Sequence, residues 1–132
     1  MGWFIDLQES GERSIRNPML RQGTAVLIST IPTSTACTAG GTSWVYQVNA
    51  CSGGRIDEPV FDVNGDGEID EQDKIIVYGV PEPPSKWHVD DIVFEPIEVT
   101  GNMYLPDSQG DINRMEVLPN LPGMFFWRVL GQ

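Results

Sequence analysis

Oxygen-bearing side chains recur at short, regular intervals in the run Asp62-Val63-Asn64-Gly65-Asp66-Gly67-Glu68-Ile69-Asp70-Glu71-Gln72-Asp73. Asp62, Asn64, Asp66, Asp70 and Asp73 fall at positions 1, 3, 5, 9 and 12 of a twelve-residue loop, with Gly67 at position 6. A hard dication takes six to eight oxygens at about 2.3–2.6 Å, and alternate side chains of a tight loop can deliver them. The pattern predicts a calcium site. Asp62, Asn64 and Asp66 would bind directly, Glu68 through its backbone carbonyl, and Asp70 directly or through water. Asp73 would close the cage where many such loops carry a longer Glu. A plain acidic turn would use the same residue types, because Asn, Asp and Gly tolerate turn geometry. That reading explains the composition but not the register. It also leaves six carboxylates within twelve positions repelling one another.

Other candidates for chemistry are thinner. His88 is the single histidine, next to Asp90 and Asp91, and no nucleophile or orienting partner is legible beside it. In an extended segment, Asp90 and Asp91 point to opposite faces, a poor arrangement for paired carboxylate catalysis. Trp3, Trp44, Trp87 and Trp127 could line a sugar or peptide surface, but core packing of a β domain is the simpler account. No Gly-rich phosphate loop is present, and the chain reads as non-enzymatic. Cys37 and Cys51 enclose thirteen residues rich in Gly, Ser and Thr, with no further Cys or His nearby. A disulfide is expected, with two free buried thiols as the alternative.

The elements that must position these residues read as strands. Segments 3–7, 13–16, 24–31, 44–50, 92–99, 113–118 and 124–130 are rich in β-branched, aromatic or alternating residues between turn clusters. Segment 24–31, apolar or β-branched almost throughout, is expected to be central and covered on both faces. Pro59 ahead of the loop favours an extended approach, so the loop is EF-hand-like while its flank is not. One short helix is expected over 71–78, and a stiff Pro-rich connector over 80–85. The fold class is mainly β: short antiparallel strands from a propeller-like or sandwich-like sheet, with one inserted calcium loop and a short helix, in one domain spanning 1–132.

Composition excludes several partners. Eight Lys and Arg against nineteen Asp and Glu give a net charge of −11, which repels a phosphate backbone. No apolar run approaches the roughly 20 residues of a membrane-spanning helix. The start lacks a basic, apolar leader, so the chain reads as a piece of something longer. A calcium loop and a disulfide together point outside the cell.

With these residues placed, the chain resembles the C-terminal end of the type IV pilus tip adhesin and assembly family, the PilC/PilY proteins. The resemblance is carried by Gly2-Trp3-Phe4-Ile5-Asp6-Leu7, Gly11-Glu12-Arg13, Asn17-Pro18-Met19-Leu20-Arg21, Ile31-Pro32, Cys37 and Gly40-Gly41-Thr42-Ser43-Trp44. It continues through Gly53-Gly54-Arg55-Ile56-Asp57 and Phe61-Asp62-Val63-Asn64-Gly65-Asp66-Gly67. Beyond the loop, Ile92-Val93-Phe94-Glu95-Pro96 and Trp127-Arg128-Val129-Leu130 look like a further family strand and the family's C-terminus. The resemblance implies a calcium-binding module of a pilus-associated surface protein whose parent carries a β-propeller and contacts other pilus components. Two alternatives stay open: an extracellular fibre subunit that self-assembles by strand addition, and a dockerin-like docking module, although dockerins carry two such loops. Phe125, Phe126 and Trp127 are the expected assembly residues, because segment 124–130 is apolar on both alternating faces and needs a cover.

Overall fold

The computed structural model describes residues 2–35, 40–99 and 101–116. Nine antiparallel strands form three small sheets among them. Strands β1 (Met19–Arg21), β2 (Thr24–Pro32), β3 (Gly41–Asn49) and β6 (Lys86–Val89) make a four-stranded sheet in the order β1-β2-β3-β6. Strands β4 (Ile75–Val77) and β5 (Val80–Glu82) form a hairpin, and β7 (Ile97–Val99), β8 (Asn102–Pro106) and β9 (Ile112–Glu116) form a meander.

Strand β2 is central, as its β-branched run requires, and is buried on both faces. Its register fixes what each face carries, because pairing Val26 with Gln47 and Ile28 with Val45 puts alternate residues of β2 and β3 on the inner side. There Val26, Ile28, Val45 and Val89 join Val60, Phe61, Val93, Met103, Leu105 and Met115 in one buried cluster. Trp87 stacks on Phe61 with ring centroids 6.4 Å apart. The opposite face is covered by the N-terminal segment, whose Trp3, Ile5 and Leu7 line an apolar pocket with Leu27 and Tyr46. Trp3 Nε1 donates to the Ala50 carbonyl at 2.9 Å, and its indole lies where a Cβ on Gly53 would sit, 2.5 Å from the ring.

Several sequence expectations are corrected. Residues 3–7 form no strand, Trp3 being held through its side chain rather than along a ladder. Residues 13–16 reduce to one bridge, Arg13 with Thr30. The helix expected over 71–78 is a three-residue 3-10 turn, Glu71–Asp73. Strand β4 follows at once, since Ile75, Ile76 and Val77 are β-branched. Tyr78 and Gly79, at φ 50° and 83°, make the two-residue hairpin turn that sends β5 back. The connector over 80–85 therefore begins as β5, with Pro81 opposite Ile76. Strand β3 starts three residues earlier than expected, and Gly41 is required there because a Cβ would meet the Ile31 carbonyl at 2.3 Å. Segment 92–99 divides into a bridge at Val93 and strand β7 beyond Pro96. The expected strand over 124–130, with Phe125, Phe126 and Trp127, lies outside the described residues, as does Cys37.

Candidate metal centre

The chain enters the loop extended from Val60 and Phe61, both buried, and this anchors its first position. Gly65 and Gly67 adopt φ of 77° and 88°, the left-handed region where glycine costs least, so the loop turns sharply at positions 4 and 6. Side-chain oxygens then accept the N–H groups that these turns release. Asp62 accepts from Gly65 N at 2.6 Å and Gly67 N at 2.9 Å, Asn64 from Asp66 N at 2.8 Å, and Asp66 from Glu68 N at 2.8 Å.

Asp73 closes the loop. It is fully buried, and its carboxylate accepts from Val63 N at 2.7 Å, Asn64 N at 3.2 Å and Asp70 N at 2.8 Å. Position 12 is thereby drawn onto positions 2, 3 and 9. A buried carboxylate is costly unless hydrogen-bonded, and these three bonds offset that cost. Asp70 caps the 3-10 turn, accepting from Gln72 N at 2.7 Å, and a capping box with Asp73 completes it. Arg114 of β9 reaches the loop from outside and donates through Nη2 to the Gly67 carbonyl at 2.8 Å. Sequence reading missed Arg114, since nothing in the sequence brings it near Gly67.

The donor set suits a hard cation in type and order: carboxylates and an amide oxygen on alternate positions, a buried closing carboxylate, and neither sulfur nor imidazole. The carboxylates are nonetheless turned toward their own backbone. Among the described residues, no three His, Cys, Asp or Glu side chains are gathered closely enough to hold a metal. An N–H bond uses one lone pair of a carboxylate oxygen and leaves another. Ion binding here therefore requires Asp62, Asn64 and Asp66 to share oxygens between backbone and ion.

The remaining sequence candidates are dispersed. His88 packs edge-on to Trp44, 4.7 Å between centroids, with Asp90 at 3.4 Å, while Asp91 accepts from Ser108 Oγ at 3.3 Å. Asp90 and Asp91 thus diverge. Cys51 is exposed in the turn after β3, its N–H on Asn49 Oδ1 at 2.9 Å, while its expected partner Cys37 lies outside the described residues. A second polar site, not foreseen from sequence, joins the N-terminal segment to the sheet. Glu12 accepts from Ser29 Oγ and from the Tyr46 hydroxyl, the latter at 2.6 Å. Burial pushes the Glu12 carboxyl up, but the bonds from Ser29, Tyr46 and the Glu9 N–H, with the charge of Lys86, more than offset it. The group ends below its ordinary value of 4.5. Burial first, then the bond to Glu12 and its charge, push the Tyr46 hydroxyl well above its ordinary value of 10.0.

Part of the chain is related to known proteins. Over 59 residues it is 39% identical to a type IV pilus biogenesis factor PilY1 homolog of Xylella fastidiosa, which covers 40% of this chain and 4% of that protein. Over 74 residues it is 35% identical to the type IV pilus biogenesis factor PilY1 of Pseudomonas aeruginosa strain UCBPP-PA14, covering 52% of this chain and 6% of that protein. The PAO1 strain's protein is 31% identical over 75 residues. The homology is partial, and the chain spans a small fraction of these relatives' length. No family model and no solved structure matches.

Proposed function

We propose that this chain is a calcium-stabilised, non-catalytic β module of a pilus-associated protein at the cell surface. The observation that carries the reading is the closure of the 62–73 loop by buried Asp73, with oxygen side chains in calcium-loop register. Asp62, Asn64, Asp66, Asp70, Asp73 and the Glu68 carbonyl would hold the ion. Its charge would offset the repulsion among the loop's carboxylates, and its role is structural: it stabilises only the folded loop. The partial homology to type IV pilus biogenesis factors supports placement on the pilus or cell surface, with pilus proteins or the remainder of a parent chain as partners.

A calcium titration by calorimetry tests the site. One ion per chain is expected, with Asp66→Ala losing most of the affinity and magnesium binding poorly because it demands smaller, near-octahedral coordination. Equal binding by the wild-type chain and Asp66→Ala would overturn the assignment.

A second reading, assembly by strand addition, is favoured by exposed apolar side chains on two sheets. Ile76, Tyr78 and Val80 stand out on the β4–β5 hairpin, and Ile97, Val99 and Ile112 on the meander. Faces of this kind suit a neighbouring copy or the parent protein.

A further inference from the structure

We propose that Arg114 is a positioning residue that couples the 62–73 loop to strand β9, so that cation binding tightens the strand and the strand in turn favours cation binding. This rests on the calcium reading above. Consecutive residues of β9 grip the loop at two places. Arg114 Nη2 bonds the Gly67 carbonyl at 2.8 Å, near the tip. Met115 bridges to Phe61 and Glu116 N donates to the Val60 carbonyl at 3.0 Å, at the root just before Asp62. Phe61 and Met115 are both buried, so the root contact is part of the core.

The Gly67 carbonyl is free to take this role. In a loop of this register the liganding carbonyl belongs to position 7, so that of position 6 is not a ligand and can accept from Arg114. Arg114 lies on the exposed face of β9, opposite Tyr104 in the ladder with β8, so the strand fixes its backbone while its side chain reaches the loop. Asp62, Gly67 and Arg114 line one cleft of about 340 Å³ between the loop and the sheets. The guanidinium exerts two opposed effects on a cation. Its charge repels the ion, while its hydrogen bond holds the turn closed. The geometry points to the second as dominant, because the bond runs to the turn carbonyl itself. Coupling between the two states is then reciprocal.

Amide hydrogen exchange on the full chain, with calcium and with chelator, tests this alongside a calcium titration. In the wild-type protein, calcium should slow exchange both in 62–73 and in 112–116. In Arg114→Ala, calcium should still protect 62–73 but change 112–116 much less, because only the root contacts remain, and affinity should fall about fivefold; an unchanged response of 112–116 in this variant overturns the role of Arg114. Arg114→Lys, which keeps the charge and one donor, should lie between the two. Because the side chain is exposed, its removal leaves the core packing intact. A wild-type loop that calcium protects while 112–116 stays unchanged overturns the coupling alone. Tighter calcium binding by Arg114→Ala also overturns it, by showing that charge dominates. A wild-type loop indifferent to calcium overturns both this and the metal reading.

Discussion

Glu12 ties a segment with almost no ladder hydrogen bonds to the face of a sheet. Hydroxyls from adjacent strands, Ser29 on β2 and Tyr46 on β3, converge on its carboxylate, and the Arg13–Thr30 bridge follows immediately. Because the folded carboxyl lies below its ordinary value of 4.5, its contribution to stability is fully present above that value. It is lost as pH falls through the lower folded value. Glu12→Gln should therefore lower the melting temperature at neutral pH, and the gap from the wild-type chain should shrink as pH drops from about 6 to about 3. A gap that stays constant across that range, followed by circular dichroism, would show that the ionised form has no special role. For Tyr46 the sign is reversed. Its raised value makes the neutral hydroxyl the stabilising form, present below 10.0 and lost as the solution becomes more alkaline.

Among the elements, the turn after β3 carries a second test. Cys51 lies exposed at one end of the interval whose other end is Cys37, outside the described residues. Closing a loop of about 15 residues contributes roughly 3 kcal/mol in the chain-entropy model. Protein matured under oxidising conditions should have an intact mass lighter by two hydrogens and resist alkylation until reduced. Two alkylatable thiols in the unreduced protein contradict the bridge. The elements legible in the sequence are those whose own residues decide their state. β2 is a β-branched run, and the 62–73 loop carries its alternating oxygen side chains and its glycines. The elements that escaped notice are set by their partners. β6 is Lys86-Trp87-His88-Val89, too short a run to stand out beside Pro83 and Pro84, and pairs because β3 offers an edge and Val89 a place in the core. β8 similarly owes its state to the burial of Met103 and Leu105 between two neighbours. The helix expected over 71–78 failed for the converse reason: a good cap at Asp70 was followed by β-branched residues and a positive-φ turn. In the candidate site, the turn positions and the closing role of Asp73 were legible and the grip of Arg114 was not, because it joins residues 47 apart in sequence.

At the scale of the whole molecule, a small β assembly with apolar side chains exposed on two sheets is suited to contact with another chain. Segment 124–130 supplies the apolar residues expected to take part. Deleting 124–132 should leave a particle that stays monomeric by light scattering at concentrations where the full chain associates. A full chain that is itself monomeric at high concentration, with Phe125, Phe126 and Trp127 buried within it, contradicts assembly by this strand. On the function proposed above, calcium stabilises the folded loop. At calcium concentrations about 100-fold above Kd, binding to the folded state alone contributes about 2.7 kcal/mol. For a chain of this size that corresponds to a rise in Tm of about 5–10 °C. The most direct measurement is thermal unfolding in millimolar calcium against excess chelator. The account predicts a clearly higher Tm with calcium, and superimposable unfolding curves would contradict it.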